Sequence, residues 1–108
     1  MTINEYQQAA LRTATGNGHN IANAAMGLSG EAGECTDIIK KHLFHGHELD
    51  KEHLAKELGD VAWYLAVCAH IIGYDLETVL QMNVNKLRKR YPDGFSEEKS
   101  RYRKDEDI

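Results

Sequence analysis

The sequence predicts an all-α protein, a bundle of four helices. Apolar residues recur at helical spacing along most of the chain, and Gly and Pro punctuation divides it into four such stretches. No run alternates as a strand or hairpin would, and the connections between stretches are short. With 108 residues, 42% hydrophobic and 28% charged, the chain suits one folded domain with one core.

The elements follow in order. Thr2 and Glu5 fit a capping box, and Ile3, Tyr6, Ala9 and Ala10 follow at helical spacing, so a first helix is expected to run to about Ala14. "TGNGHN" interrupts it. A second helix is expected over 21–44, with Ile38, Ile39 and Leu43 on its apolar side and a break at Gly46. Asp50 is a good N-cap for a third helix to Ile72, and Gly73 is a good stop. Asp75 can cap a fourth, which must end near Tyr91 because Pro92, the only proline, follows. Residues 1–95 would form the domain. Residues 96–108, with nine charges in "SEEKSRYRKDEDI", would form a charged C-terminal surface segment.

Charge and cysteine content exclude several classes. The formal charge is −4, so no general basic field exists to hold nucleic acid. Cys35 and Cys68 stand apart without CxxC spacing, and nothing at the N-terminus resembles a signal peptide, which points to a reduced, cytoplasmic setting. The longest nearly uncharged run, 61–73, is too short for a membrane span, which needs about 20 residues.

The chemistry is concentrated in four acids. Glu31 and Glu34 are three residues apart, as are Glu57 and Asp60, so each pair is separated by about 60° around its helix. Like charges so placed repel, and a cation is the natural compensation. Carboxylate oxygens from two neighbouring helices suit Mg²⁺ or Mn²⁺, with water and phosphate oxygens completing the shell. The third helix is apolar around most of its circumference beyond Asp60, which places Glu57 and Asp60 at a core-facing cleft.

The second helix also carries Gly27, Gly30 and Gly33, each costing about 0.5–1 kcal/mol relative to alanine. Gly27 borders the acid face, where a missing side chain leaves room for a ligand or lets the facing helix come near. Gly33 points almost directly away, suiting close packing within the bundle or between subunits. On the fourth helix Asn83 falls within the stripe of Leu76, Val79, Leu80, Leu87 and Tyr91, with Lys86 and Arg90 beside it. Either this is a satisfied core Asn with two snorkelling bases, or the three form a phosphate-facing strip that Lys41 joins from the second helix.

Trp63 and Tyr64 flank Asp60 and serve either as packing or as a stacking surface for a nucleobase. Asn20, with His19, is a weaker candidate for reading base edges. His42, His45 and His47 lack a nearby Cys and read as a helix end with favourable dipole placement rather than a metal site.

"GLSGEAGE", "KELGD" and "NVNKLRKRYPDGF", in this order over residues 21–95, resemble the MazG-like nucleoside triphosphate pyrophosphohydrolases of the all-α NTP pyrophosphatase superfamily. The resemblance implies a helical bundle completed by oligomerisation, as a homodimer or homotetramer. It implies Mg²⁺ held by Glu31, Glu34, Glu57 and Asp60, with Glu34 also orienting or deprotonating the attacking water. Asn83 and Lys86 would reach the phosphates, and Lys86, with Arg90 or Lys41, would steady the leaving pyrophosphate. The implied reaction takes a (d)NTP to its monophosphate and pyrophosphate, in a short, single-domain, house-cleaning type of enzyme. The chain lacks the extra helices of the related dimeric dUTPases and is much shorter than the two-domain members, so it inherits the substrate of neither. The rival is a catalytically inactive helical module that binds Mg²⁺ or nucleotide for assembly or regulation. A di-iron carboxylate bundle is disfavoured, because no Glu-x-x-His is present.

Overall fold

The computed structural model describes residues 1–103, and part of the charged segment expected over 96–108 therefore lies outside the described residues. The all-α class is borne out, with no strand among the described residues. The helices are α1 (Ile3–Leu11), α2 (Ile21–Phe44), α3 (Lys51–Ile71), α4 (Leu76–Arg90) and a short α5 (Glu97–Arg101), with a 3₁₀ turn at Gly16–His19. The fifth helix falls where only a surface segment was expected; Ser96 starts it by accepting from the Lys99 N–H.

Local chemistry sets the boundaries. The Thr2 hydroxyl accepts from the Glu5 N–H at 3.1 Å while the Glu5 carboxylate accepts from the Thr2 N–H at 2.8 Å, which closes the capping box. α1 ends at Leu11, three residues sooner than the spacing predicts, because the Thr13 N–H and hydroxyl both turn back to the Ala10 carbonyl. Asn20 and Asp50 cap α2 and α3 through their side-chain oxygens. Gly46 and Gly73, with φ of 74° and 89°, take the left-handed turns that end the two long helices.

The chain divides into two units, Met1–Leu76 and Glu77–Ile108. In the first, α2 and α3 run antiparallel: Tyr64 meets Gly27, Glu57 meets Glu31, and Leu54 lines a surface with Ile39. The core is made largely of small residues, with Ala10, Ala66 and Leu76 at its centre and Tyr6, Trp63 and Leu65 packed around them. In the second unit, Leu80 and Leu87 of α4 are exposed, and so is Asn83. Leu76 at the head of the stripe is buried, but the stripe is exposed at Leu80 and Leu87, and the reading of Asn83 as a satisfied core residue is corrected accordingly.

One buried polar residue went unnoticed in the sequence. Gln7 is 2% exposed, donates from Nε2 to the carbonyls of Ala66 (3.0 Å) and Tyr74 (3.2 Å), and accepts at Oε1 from the Leu76 N–H (2.9 Å). It ties α1 to both the middle of α3 and the turn beyond it. Gln7→Leu leaves the buried Leu76 N–H without its acceptor and is expected to cost about 2–4 kcal/mol, read as a fall in the urea midpoint at unchanged slope.

Candidate metal centre

The three glycines of α2 have different surroundings, and only one touches another element. A Cβ on Gly27 would overlap the ring of Tyr64, whereas Cβ atoms on Gly30 and Gly33 would meet nothing within 4 Å. Of the roles expected for Gly33, close packing within the chain's own helices is thus not found among the described residues. At Gly27 the second expectation holds: the absent side chain lets α3 lie against the backbone of α2. Glu31 is one turn beyond Gly27 on α2, and Asp60 is one turn before Tyr64 on α3. The contact therefore draws two acid-bearing turns together.

Carboxylate oxygens of Glu31, Glu57 and Asp60 all lie within 4.8 Å of one another. Opposite ligands of an octahedral Mg²⁺ stand about 4.2 Å apart, so small side-chain rotations bring three hard oxygens onto one ion. The uncompensated charge is visible in Glu31, whose pKa is raised. The first cause is its hydrogen bond with Glu57, followed by desolvation and by repulsion from Glu57, Asp60 and Glu34. Glu34 is exposed and its carboxylate is not in the three-acid group, though it is near enough to act on Glu31.

Two neighbours of the acids were not anticipated. His53, one turn before Glu57, places Nε2 3.3 Å from a Glu57 oxygen, an i,i+4 relation that was present in the sequence. Tyr6 of α1 has its phenol pKa raised by burial and by the charge of Asp60, which leaves a neutral hydroxyl-bearing ring beside that carboxylate.

The aromatic pair packs, as one of the two readings expected, and it also lines a pocket. The Trp63 Nε1–H donates to the Thr13 hydroxyl at 2.8 Å, and its ring stands edge-on to Tyr64 with centroids 4.9 Å apart. Together with Glu31 and Asp60 the two rings line a pocket of about 310 Å³, within the range of small-molecule sites. Asn20, by contrast, uses its side-chain oxygen on the Ala22 and Asn23 N–H groups as the N-cap of α2.

The basic candidates divide between the two units. Lys41 pairs with Asp37 at 2.9 Å, which holds its ammonium pKa up, and it lines a second pocket of about 390 Å³ with Glu34, His47, Asp50 and His53. In the second unit Lys86 and Arg90 are half-buried, and the Arg90 guanidinium lies 5.9 Å from the Tyr91 ring.

The raised pKa has a testable sign. Glu31 holds its proton to higher pH in the folded protein than in the unfolded chain, so without metal the fold loses stability as pH rises above the ordinary glutamate value of about 4.3. Thermal melts in a chelator are expected to show this decline in the wild type and less of it in Glu31→Gln. If these carboxylates hold Mg²⁺, the decline should shrink or reverse when it is added, since the ion would bind the deprotonated form.

No helix among the described residues is long and apolar enough to cross a membrane. No solved structure matches the chain significantly. It is similar to the "Gene 37 protein" of Mycobacterium phage L5, 37% identical over 105 aligned residues that cover 87% of this chain and 92% of the phage protein. The family model described as "MazG nucleotide pyrophosphohydrolase domain" matches residues 20–95, a span that holds the three clustered carboxylates, Glu34 and the aromatic wall. The chain belongs to the MazG nucleotide pyrophosphohydrolase family.

Proposed function

We propose that this protein hydrolyses nucleoside triphosphates, ribo or deoxy, to the monophosphate and pyrophosphate, as a Mg²⁺-dependent, house-cleaning enzyme that also accepts Mn²⁺. The observation that carries the proposal is the convergence of Glu31, Glu57 and Asp60 beside a pocket walled by Trp63 and Tyr64. A cation held by these acids would offer charge to the phosphates beside a face suited to the base. Family membership supports the reaction class.

Glu31, Glu57 and Asp60 would hold the cation, with Glu34 at its margin. A divalent ion there supplies charge neutralisation at phosphate oxygens and a water of lowered pKa. Glu34 takes the proton of the attacking water: its carboxylate lies outside the three-acid group yet acts electrostatically on it. The water oxygen bonds to the α-phosphorus, the bond to the α,β-bridging oxygen breaks, and pyrophosphate leaves with that oxygen. Tyr64 and Trp63 stack on or flank the base, with Asn20 a weaker contributor. Lys41, Asn83, Lys86 and Arg90 are assigned to phosphate oxygens on the family motif and on their charge or polarity.

Residues 1–95 would form the enzymatic domain, acting as a homodimer or homotetramer. A cytoplasmic location fits the free thiols of Cys35 and Cys68. The test is a panel of standard and damaged NTPs and dNTPs with Mg²⁺ or Mn²⁺, in which monophosphate and pyrophosphate are quantified separately. Equimolar release of both is expected for at least one nucleotide. Orthophosphate release, or Mg²⁺-dependent stabilisation with no turnover of any nucleotide, would overturn the reaction.

A further inference from the structure

Behind Glu57 stands a histidine to which the proposed reaction gives no part. His53 is one turn earlier on α3, and its Nε2 lies 3.3 Å from the Glu57 Oε1. The backbone fixes where the ring starts from: the Asp50 side chain, as N-cap, accepts from the His53 N–H at 2.9 Å, so His53 belongs to the first, capped turn of the helix. Glu57 carries the contacts on across the helix pair through its hydrogen bond with Glu31 on α2.

Position and exposure separate His53 from the acids it adjoins. The oxygens of Glu31, Glu57 and Asp60 gather within 4.8 Å of one another, and the His53 ring nitrogen is not a member of that group. The ring contacts Glu57 while also lining the neighbouring hollow with Glu34, Lys41, His47 and Asp50. The Glu57 side chain is 18% exposed, which limits how far water can satisfy its two oxygens, whereas the His53 side chain is 56% exposed. The nearby lysines are committed elsewhere, Lys56 to Glu52 at 3.5 Å and Lys41 to Asp37 at 2.9 Å. The imidazole N–H is the donor placed at Oε1.

A donor held on one oxygen changes what a carboxylate can do for a cation. With Oε1 engaged by His53, Glu57 has its other oxygen alone to offer, and its rotation is restrained. Mg²⁺ demands near-ideal octahedral order, which one oxygen per carboxylate suits. Ca²⁺ takes more oxygens in looser geometry, and it gains from a carboxylate that is free to offer both and to adjust. The same contact therefore favours the smaller ion and disfavours the larger.

We propose that His53 is a positioning residue that holds Glu57 as a one-oxygen ligand and so makes the three-acid site prefer Mg²⁺ to Ca²⁺. The inference rests on the metal-holding part of the reading above and not on the reaction.

Calorimetric titration of the full chain with MgCl₂ and, separately, with CaCl₂ tests it. In His53→Ala the affinity for Mg²⁺ is expected to fall about 10-fold or more, the usual effect of removing the partner of a metal ligand, while that for Ca²⁺ stays within about twofold or rises. The preference for Mg²⁺ over Ca²⁺ thus falls at least about fivefold. His53→Gln, whose amide N–H reaches about as far as the imidazole Nε2, is expected to recover most of that preference. A merely structural loss would weaken both ions alike, and glutamine would not repair it. Helical circular dichroism should be equal in the three proteins, since the Asp50 cap binds a backbone N–H that both variants keep. An unchanged Mg²⁺ to Ca²⁺ ratio in His53→Ala, or a ratio that glutamine leaves where alanine does, would overturn the inference. A wild type that binds no Mg²⁺ would overturn it together with the metal reading, whereas one that binds Mg²⁺ and turns over no nucleotide would overturn the reaction alone.

Discussion

Asp60→Asn is expected to lower pyrophosphate release by at least about 100-fold while leaving the metal-free protein as stable as the wild type or more so. The two effects have opposite signs for one reason. Asp60 is one of three carboxylates within 4.8 Å, and without a cation it repels Glu31, whose pKa it helps to raise. Neutralising it relieves that repulsion and at the same time removes one of the three oxygens that, under the proposed function, would hold the cation. The stabilisation that Mg²⁺ confers on the wild type should therefore be lost in the variant, since ligand-linked stability vanishes with affinity. Thermal melts with and without Mg²⁺, alongside the pyrophosphate assay, separate these effects. A variant that kept its turnover and its response to Mg²⁺ would place the metal elsewhere.

Gly27→Ala should destabilise the protein by about 2–3 kcal/mol, and Gly30→Ala, three residues away on the same helix, should stabilise it by about 0.5–1 kcal/mol. Propensity alone favours alanine at both positions. At Gly30 nothing opposes that gain, but at Gly27 the new methyl overlaps the Tyr64 ring, so α2 and α3 must part or the ring must leave its place. Either movement also disturbs the pocket between Tyr64 and the acids, so turnover should fall with stability. Combining Gly27→Ala with Tyr64→Ala should cost less than the sum of the single changes, the signature of two residues in contact. Denaturant unfolding of the four proteins measures the coupling; additive costs would show that the ring does not constrain Gly27.

Much of this protein was written in local sequence. The helix periods, the capping box at Thr2 and Glu5, and the stops at Gly46 and Gly73 are short-range effects, and they placed four helices to within a few residues. The acid pairs were legible because a helix fixes the angle between residues three apart. What local spacing cannot supply is depth and partnership across elements. Gln7 looked like one more polar residue on α1, and it became a buried clamp only because Ala66 and Leu76 arrive from more than fifty residues away. For the stripe on α4 the sequence left a core Asn83 and a phosphate-facing strip as alternatives, because amphipathic spacing records that a face is apolar, not that anything covers it.

The acid site divides in the same way. The sequence by itself determined the all-α fold, the family and the four carboxylates, since each depends on residue type at fixed helical spacing. Only the tertiary structure decided that Glu31, Glu57 and Asp60 meet while Glu34 stands aside, and that Gly27 yields its space to Tyr64. Those outcomes depend on how closely two helices approach, a distance set by the packing of side chains far apart in the chain.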